Sequence, residues 1–404
     1  MQKKLASHLH QTSMILTSTS PALPSKASPL ASLESHFNRL IDPRSPHRIE
    51  HRLMDILLIT VCAVICGADD WHAIAEYGQS KLDWLKTFLE LPHGIPSHDT
   101  FHRVFARLNP QQLQSCFISW IESLWPRLSG ELLNVDGKTL RGACEPSQNK
   151  SFIHLVSVWS ASQHLVLGQQ KVDEKSNEIT AIPELLQLLV LQGCLVSIDA
   201  MGCQREIART IIEQEADYVL ALKGNQGNLY EDVVQLFQVA LQQNFHGLEH
   251  SFFQTVEKGH GRIEMRRFWT MENTEYLIGA ENWPGLRSIG MAESERRIGD
   301  QTTVEQRFYL LSIPSDAQRF AEAAREHWSV ENNLHWVLDV GFNEDSLRGT
   351  QGHSAENLAV VRHIAVNLIT HERSTKAGTR TKRLKAGWDN GYLEKILKVN
   401  PAKT

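Results

Sequence analysis

The stretch GCLVSIDAMGCQREIARTIIEQEADYVLALKG, residues 193–224, decides the fold class. CLVSID and YVLAL are short apolar runs of strand length, and QREIARTIIEQEA between them spaces its apolar residues as a helix does. Working back toward the N-terminus, IPELLQLLVLQ (182–192) reads as another helix, and HLVLGQQKV (164–172), FIHLVSVWS (152–160) and ELLNVD (131–136) read as three strands with no helix between them. Three strands followed by strand and helix in alternation predict a mixed sheet in an α/β domain. Working forward, SFFQTVE (251–257), IEMRRFWT (263–270) and RFYLLSI (307–313) are β-like runs separated by polar turns. They predict a β-rich insertion at about 225–305, closed by helices near Gln318 and over 354–370.

Residues 52–128 carry a helical pattern, with Ser97 placed as a helix cap, and predict a small all-helical domain over 36–128. Residues 1–35 are rich in Ser and Pro, hold no acid before Glu34, and are expected to be a disordered tail; they contain no amphipathic Arg-rich helix of the kind a transit peptide needs. A composition of 42% hydrophobic and 22% charged residues in 404 excludes wholesale disorder, collagen and coiled coil, and the length allows two or three domains. The apolar run at 56–68 is too short to span a bilayer and reads as a buried helix, so no membrane partner is expected. Six cysteines without a CxxC pair give neither a disulfide framework nor a zinc signature, and a reducing cytoplasm follows.

Net charge is −5, yet residues 373–404 hold nine Lys/Arg against Asp389 and Glu394, a local +7 that leaves −12 for the rest. Such a segment, with Trp388 and Tyr392 inside it, can hold phosphates; a solvated basic terminus explains the composition equally well. Three carboxylates stand out. Asp136 ends one strand and Asp199 another, and the carboxyl ends of strands in an open α/β sheet border the ligand crevice. Each alone would also serve as a turn cap. Glu331 falls with Ala324, Trp328, Leu334 and Leu338 on what helical periodicity makes an inward stripe, where a carboxylate needs a cation; an ion pair with Arg325 or Lys138 is the plain alternative. Hard oxygen ligands of this kind suit Mg²⁺ or Mn²⁺, and a pair of such ions serves in-line phosphoryl displacement. Paired carboxylates equally suit a glycosidase, and the basic tail tilts the choice toward nucleic acid.

The segments NVDGKTLRGA (134–143), SIDAMGCQREIA (197–208), DYVLALKGNQ (217–226), HGRIE (260–264) and REHWSVENNLHWVLDVGFNED (325–345) together resemble the H-repeat-associated insertion-sequence transposases. GIPSHDTFHRVF (94–105) and KRLKAGWDNGYL (382–393) match as well, so the resemblance covers roughly 35–398. It implies a DDE transposase with an RNase H-like catalytic domain, here over 129–371, followed by a basic segment over 372–404. Asp136, Asp199 and Glu331 then take the positions of the catalytic, metal-binding D-D-E acids. Two Mg²⁺ or Mn²⁺ ions, DNA as partner through element terminal repeats and target DNA, a homodimer on DNA and a bacterial cytoplasm with nucleoid association are implied with them. Related transposases carry a Tyr, Arg and Lys around the glutamate; Ala324, His327 and Leu338 stand there in this chain, so that signature does not transfer.

Further DNA-contact candidates are Lys223 and Asn225 after the strand YVLAL, His260 and Arg262 in the insertion, His335 one turn after Glu331, and Lys382, Arg383 and Lys385 in the basic segment. Trp269 and Trp283 either stack on an unpaired base or pack as core. His335 is placed to hydrogen-bond Glu331 or assist proton transfer, and Asp339, Glu344 and Asp345 are substitutes for Glu331 if the register differs. The reading is metal-dependent strand cleavage at element ends and strand transfer into target DNA. A transposase-derived DNA-binding protein without turnover and a plain metal-dependent nuclease are its rivals.

Overall fold

Helix formation in the N-terminal third follows from caps and one continuous apolar run. The computed structural model describes residues 28–125, 130–141, 152–172, 177–259, 261–347 and 351–398. Helices α1 (Ala31–Phe37), α2 (Leu53–Ile65), α3 (Trp71–Ser80), α4 (Leu82–Leu85), α5 (His98–Arg107) and α6 (Pro110–Leu124) build this part. The side chains of Asp70, Ser97 and Asn109 accept the amides of Ala73, Thr100 and Gln112, and Pro110 supplies a fixed φ at the first position of α6. Residues Asp55 through Ile65 of α2 are all buried, as expected of the apolar run. The tail boundary needs correction. Helix α1 starts inside the span expected to be disordered, because Leu33 and Phe37 bury themselves on the side facing α6. Residues 1–27 lie outside the described residues.

The sheet holds nine strands: β1 (Leu132–Leu140), β2 (Ile153–Ser160), β3 (Leu165–Val172), β4 (Leu195–Ile198), β5 (Asp217–Leu222), β6 (His250–Gly259), β7 (Arg262–Met271), β8 (Ser288–Ile298) and β9 (Gln301–Leu311). Their spatial order is β3-β2-β1-β4-β5-β9-β8-β7-β6. The β1–β4 and β4–β5 pairs are parallel and the remaining pairs antiparallel, which makes the sheet mixed, as predicted. Parallel neighbours need crossovers, which are α7 (Glu178–Gln187) before β4 and α8 (Arg205–Glu213) before β5. The β-rich segment is not a separate body: Val219 of β5 pairs with Leu311 of β9, so β6–β9 continue the same sheet outward. Helix α9 (Asn228–Gln242) and strand β8 also lie in that segment, where the sequence suggested three strands alone.

Helix α10 (Ala317–His327) lies across the sheet against β1, β4, β5, β6, β7 and β8. The chain then winds through two π-helical stretches, Glu331–His335 and Val337–Gly341. Helices α11 (Ser354–His371), α12 (Thr379–Trp388) and α13 (Asn390–Leu397) follow. Helix α11 is buried almost all round because it packs against α2, α5 and α6 on one side and β3 on the other. Trp269 and Trp283 are buried core residues and offer no stacking surface. Among the described residues no helix is long and apolar enough to cross a membrane.

Candidate functional site

The register of the two parallel strands places the aspartates side by side. Val135 of β1 is opposite Ile198 of β4, so Asp136 and Asp199 are the next positions along neighbouring strands. Residues in register on adjacent strands project to the same face, with the strands about 4.8 Å apart. Past this point β1 continues against β2 while β4 ends, and the crevice opens there. Asp136 Oδ1 accepts the Gly137 amide at 2.9 Å. Asp199 Oδ1 accepts the amides of Met201 and Gly202 at 3.0 and 3.2 Å, which aims its carboxylate and caps the turn into α8.

Glu331 reaches the same place by a different route from the one periodicity suggested. Ala324, Leu334 and Leu338 are buried, but Trp328 is 44% exposed and Glu331 is exposed. Helix α10 ends at His327, and the π-winding that follows rotates the later residues away from a regular helical stripe. The acid therefore faces an open cleft, not the core. The cation partners considered for it are engaged elsewhere: Lys138 Nζ sits 2.5 Å from Asp339 and 2.7 Å from Glu344, and Arg325 pairs with Glu257 at 2.5 Å. Asp345 accepts the Arg141 amide at 3.1 Å. The three substitutes for Glu331 are thus occupied in binding other groups.

One cleft of about 390 Å³ is lined by Asp136, Asp199 and Glu331 together with Lys223, His327 and Trp328. Burial pushes the Asp136 carboxyl up to about 7; the Gly137 amide pulls it down, while the charges of Asp199, Glu331 and Glu178 push it up further. His335 stands beside Asp136, with Nδ1 3.5 Å from Asp136 Oδ2, beyond a good hydrogen bond. Burial, with Lys138 close by, pulls this imidazole down to about 4, so it is neutral at physiological pH. Sequence reasoning missed a polar relay just beneath the acids. Ser197 Oγ donates to Asn134 Oδ1 at 2.6 Å and lies 3.0 Å from His327 Nδ1. Asn134 Nδ2 donates to the Glu326 carbonyl at 2.8 Å. The signal was present: Asn134 and Ser197 each sit two residues before one of the aspartates, on the same face, although Asp136, expected to end its strand, lies within β1, which runs on against β2 to Leu140.

The DNA-contact candidates separate clearly. Lys223 is exposed on the cleft wall, and Asn225 Nδ2 donates to the Ala200 carbonyl at 3.0 Å, bracing the loop after Asp199. Arg262 opens β7, pairs with Glu264 at 3.2 Å and is not among the described cleft residues; His260 lies outside the described residues. Lys382 and Arg383 need correction as DNA contacts, because both are buried. Lys382 Nζ donates to the carbonyls of Ile369 and Glu372. Arg383 donates to the carbonyls of Val64 and Gly341 and to Asp69, with its guanidinium 4.2 Å over the Phe342 ring. Lys385 is half-buried, bonded to Thr375 at 2.8 Å and seated over Tyr392.

The donor set in the cleft is all carboxylate oxygen, the chemistry that suits a hard divalent cation. The Asp136 carboxyl is raised first by burial and then by the neighbouring charges of Asp199, Glu331 and Glu178. Among the described residues, no group of three or more His, Cys, Asp or Glu side chains is gathered tightly enough to hold an ion as it stands.

Two family models match the chain: "Transposase DDE domain" over residues 128–368 and "DDE_Tnp_1-associated" over 34–121. Among curated proteins, the "H repeat-associated putative transposase YhhI" of Escherichia coli K12 is 40% identical over 373 residues, covering 91% of this chain and 98% of that protein. The "Putative transposase YncI" of Escherichia coli O157:H7 is 40% identical over 372 residues, covering 91% of this chain and 95% of its own length.

Proposed function

The chain belongs to the DDE transposase family, and from that premise we propose that Asp136, Asp199 and Glu331 are the D-D-E acids of a DNA-cleaving and strand-transferring site. The observation that carries this is their meeting in one cleft, where Asp136 is pushed up to about 7 by burial and by the other two charges. We read β1–β5 as an RNase H-like core, because three antiparallel strands joined to two parallel ones in the order 3-2-1-4-5 put the first two acids on neighbouring strands. Strands β6–β9 extend it.

The three carboxylates would hold Mg²⁺ or Mn²⁺. A bound pair of these ions would activate an attacking water or 3′-hydroxyl and stabilise the leaving oxygen. The protein's own groups do the rest. Lys223, exposed on the cleft wall, supplies a cation for a substrate phosphate, and neutral His335 stands by Asp136 able to donate one ring N–H without adding charge. The proposed reaction is hydrolysis at element ends, then attack of the freed 3′-hydroxyl on target DNA, carried out by a homodimer on the DNA.

The test is incubation with labelled element ends and Mg²⁺ or Mn²⁺. Nicked ends followed by joined products are expected. Nicks without joining would make the protein a plain nuclease. Binding with neither would make it a DNA-binding descendant of a transposase.

A further inference from the structure

Asn134 and Lys138 bracket Asp136 on β1, two residues to either side, so all three project from one face of the strand. Each grips the chain that carries Glu331. Asn134 Nδ2 holds the Glu326 carbonyl at 2.8 Å, at the end of α10 and just before the acid. Lys138 Nζ holds Asp339 Oδ1 at 2.5 Å and Glu344 Oε2 at 2.7 Å, beyond it. Between the two attachments the chain is π-wound: Val330 and Leu334 anchor its backbone in the core, while the Glu331 side chain itself is exposed and has no packing of its own.

The Lys138 attachment is itself firmly seated. Glu344 is 3% exposed and lies 3.5 Å from Arg362 of α11, which is 1% exposed. Burial pushes the Glu344 carboxyl up, but Lys138 and Arg362 outweigh it and hold the group below its ordinary range, ionised. Buried ion pairs of this sort add little net stability over apolar packing.

We propose that Asn134 and Lys138 are positioning residues, a two-point clasp through which the strand bearing Asp136 also sets where Glu331 stands. The separation of the first and third acids is then set by two contacts reaching from the strand of the first to the chain of the third. The clasp rests on the carboxylate reading above, and its test must distinguish the two.

Terbium(III) is a hard-cation probe whose luminescence on tryptophan excitation reports binding near Trp328, which lines the cleft. The full-length protein would be titrated as parent, Asp136→Asn, Lys138→Met, Lys138→Arg and Asp339→Asn, with far-UV circular dichroism and elution volume as folding controls. Asp136→Asn should abolish the signal; an unchanged signal overturns the carboxylate reading and the clasp with it. Folded Lys138→Met should raise the half-saturating terbium concentration roughly 10- to 100-fold, the usual cost of losing a group that orients a ligand. Lys138→Arg, which keeps a cation between the two acids, should recover most of that. A folded Lys138→Met that binds terbium like the parent, while Asp136→Asn does not, overturns the clasp alone. If Lys138→Met fails to fold, Asp339→Asn decides, since Glu344 stays paired: a raised half-saturation supports the clasp, and an unchanged one overturns it.

Discussion

Asp136 is a carboxyl whose protonation the fold controls. Its pKa rises from the ordinary 3.8 to about 7, chiefly by burial. The folded protein therefore holds this proton more tightly than the unfolded chain does. That contribution to stability is complete below the unfolded value, declines as pH rises from about 4, and is gone above about 7. In the presence of a chelator, Asp136→Asn should gain on the parent across this window, by up to a few kcal/mol on the order of 1.4 per pKa unit. Thermal melts at pH 4.5 and pH 8 would measure it, and a variant whose advantage is the same at both would show the carboxyl is not perturbed. Function should respond in the opposite sense. Asp136→Ala or Asp199→Ala should abolish strand cleavage while leaving DNA affinity within about threefold, because affinity comes from cations on phosphates. Cleavage at the parent rate by either variant would remove that residue from the site.

At the scale of elements, the strands carrying the aspartates were legible, although β1 runs four residues past Asp136, and helix interiors less so. Asp136 and Asp199 were found because apolar runs stop at them, and the structure sets them in adjacent register. Glu331 was found for a reason the structure overturns: a regular helical period put it inward, whereas the end of α10 and the π-winding turn it out into the cleft. Nothing in a single sequence announces a π-helix. Helix α9 was missed although Leu229, Val233, Phe237 and Ala240 give it a buried stripe, and β8 was missed because its distal half, Glu295 to Ile298, is largely charged. The basic helix α12 misled most, since the groups that bind its cations, Val64, Asp69 and Gly341 for Arg383, come from remote parts of the chain. Arg383→Met should accordingly destabilise the protein by about 1 to 3 kcal/mol, because the buried Val64 carbonyl loses its donors while Asp69 keeps contact with water. Urea denaturation would measure the loss. A variant as stable as the parent would return Arg383 to the list of surface cations.

The whole molecule is tied together across the boundaries its sequence suggested. Helix α11 fills the space between the N-terminal helices and β3, and Arg383 joins α12 to the end of α2 and to the π-wound stretch behind Glu331. The basic C-terminal segment is thus partly structural, with Tyr392 and Leu393 buried beneath it. Of its nine cations, Lys382 and Arg383 are buried, Lys385 is bonded to Thr375, Lys398 pairs with Glu394 at 3.0 Å, and Lys403 lies outside the described residues. Arg373, Lys376, Arg380 and Lys395 remain exposed. Removing the segment would disturb packing as well as charge, so the discriminating change is neutralisation of these four by Gln. Each phosphate contact contributes about −0.9 to the slope of log affinity against log salt, so four contacts would flatten that slope by roughly 3 to 4 units. Filter binding to DNA over a series of salt concentrations would measure it. An unchanged slope in the folded variant would move the proposed phosphate contacts off this segment, to the cleft wall at Lys223, the N-terminal helices or the β-rich segment.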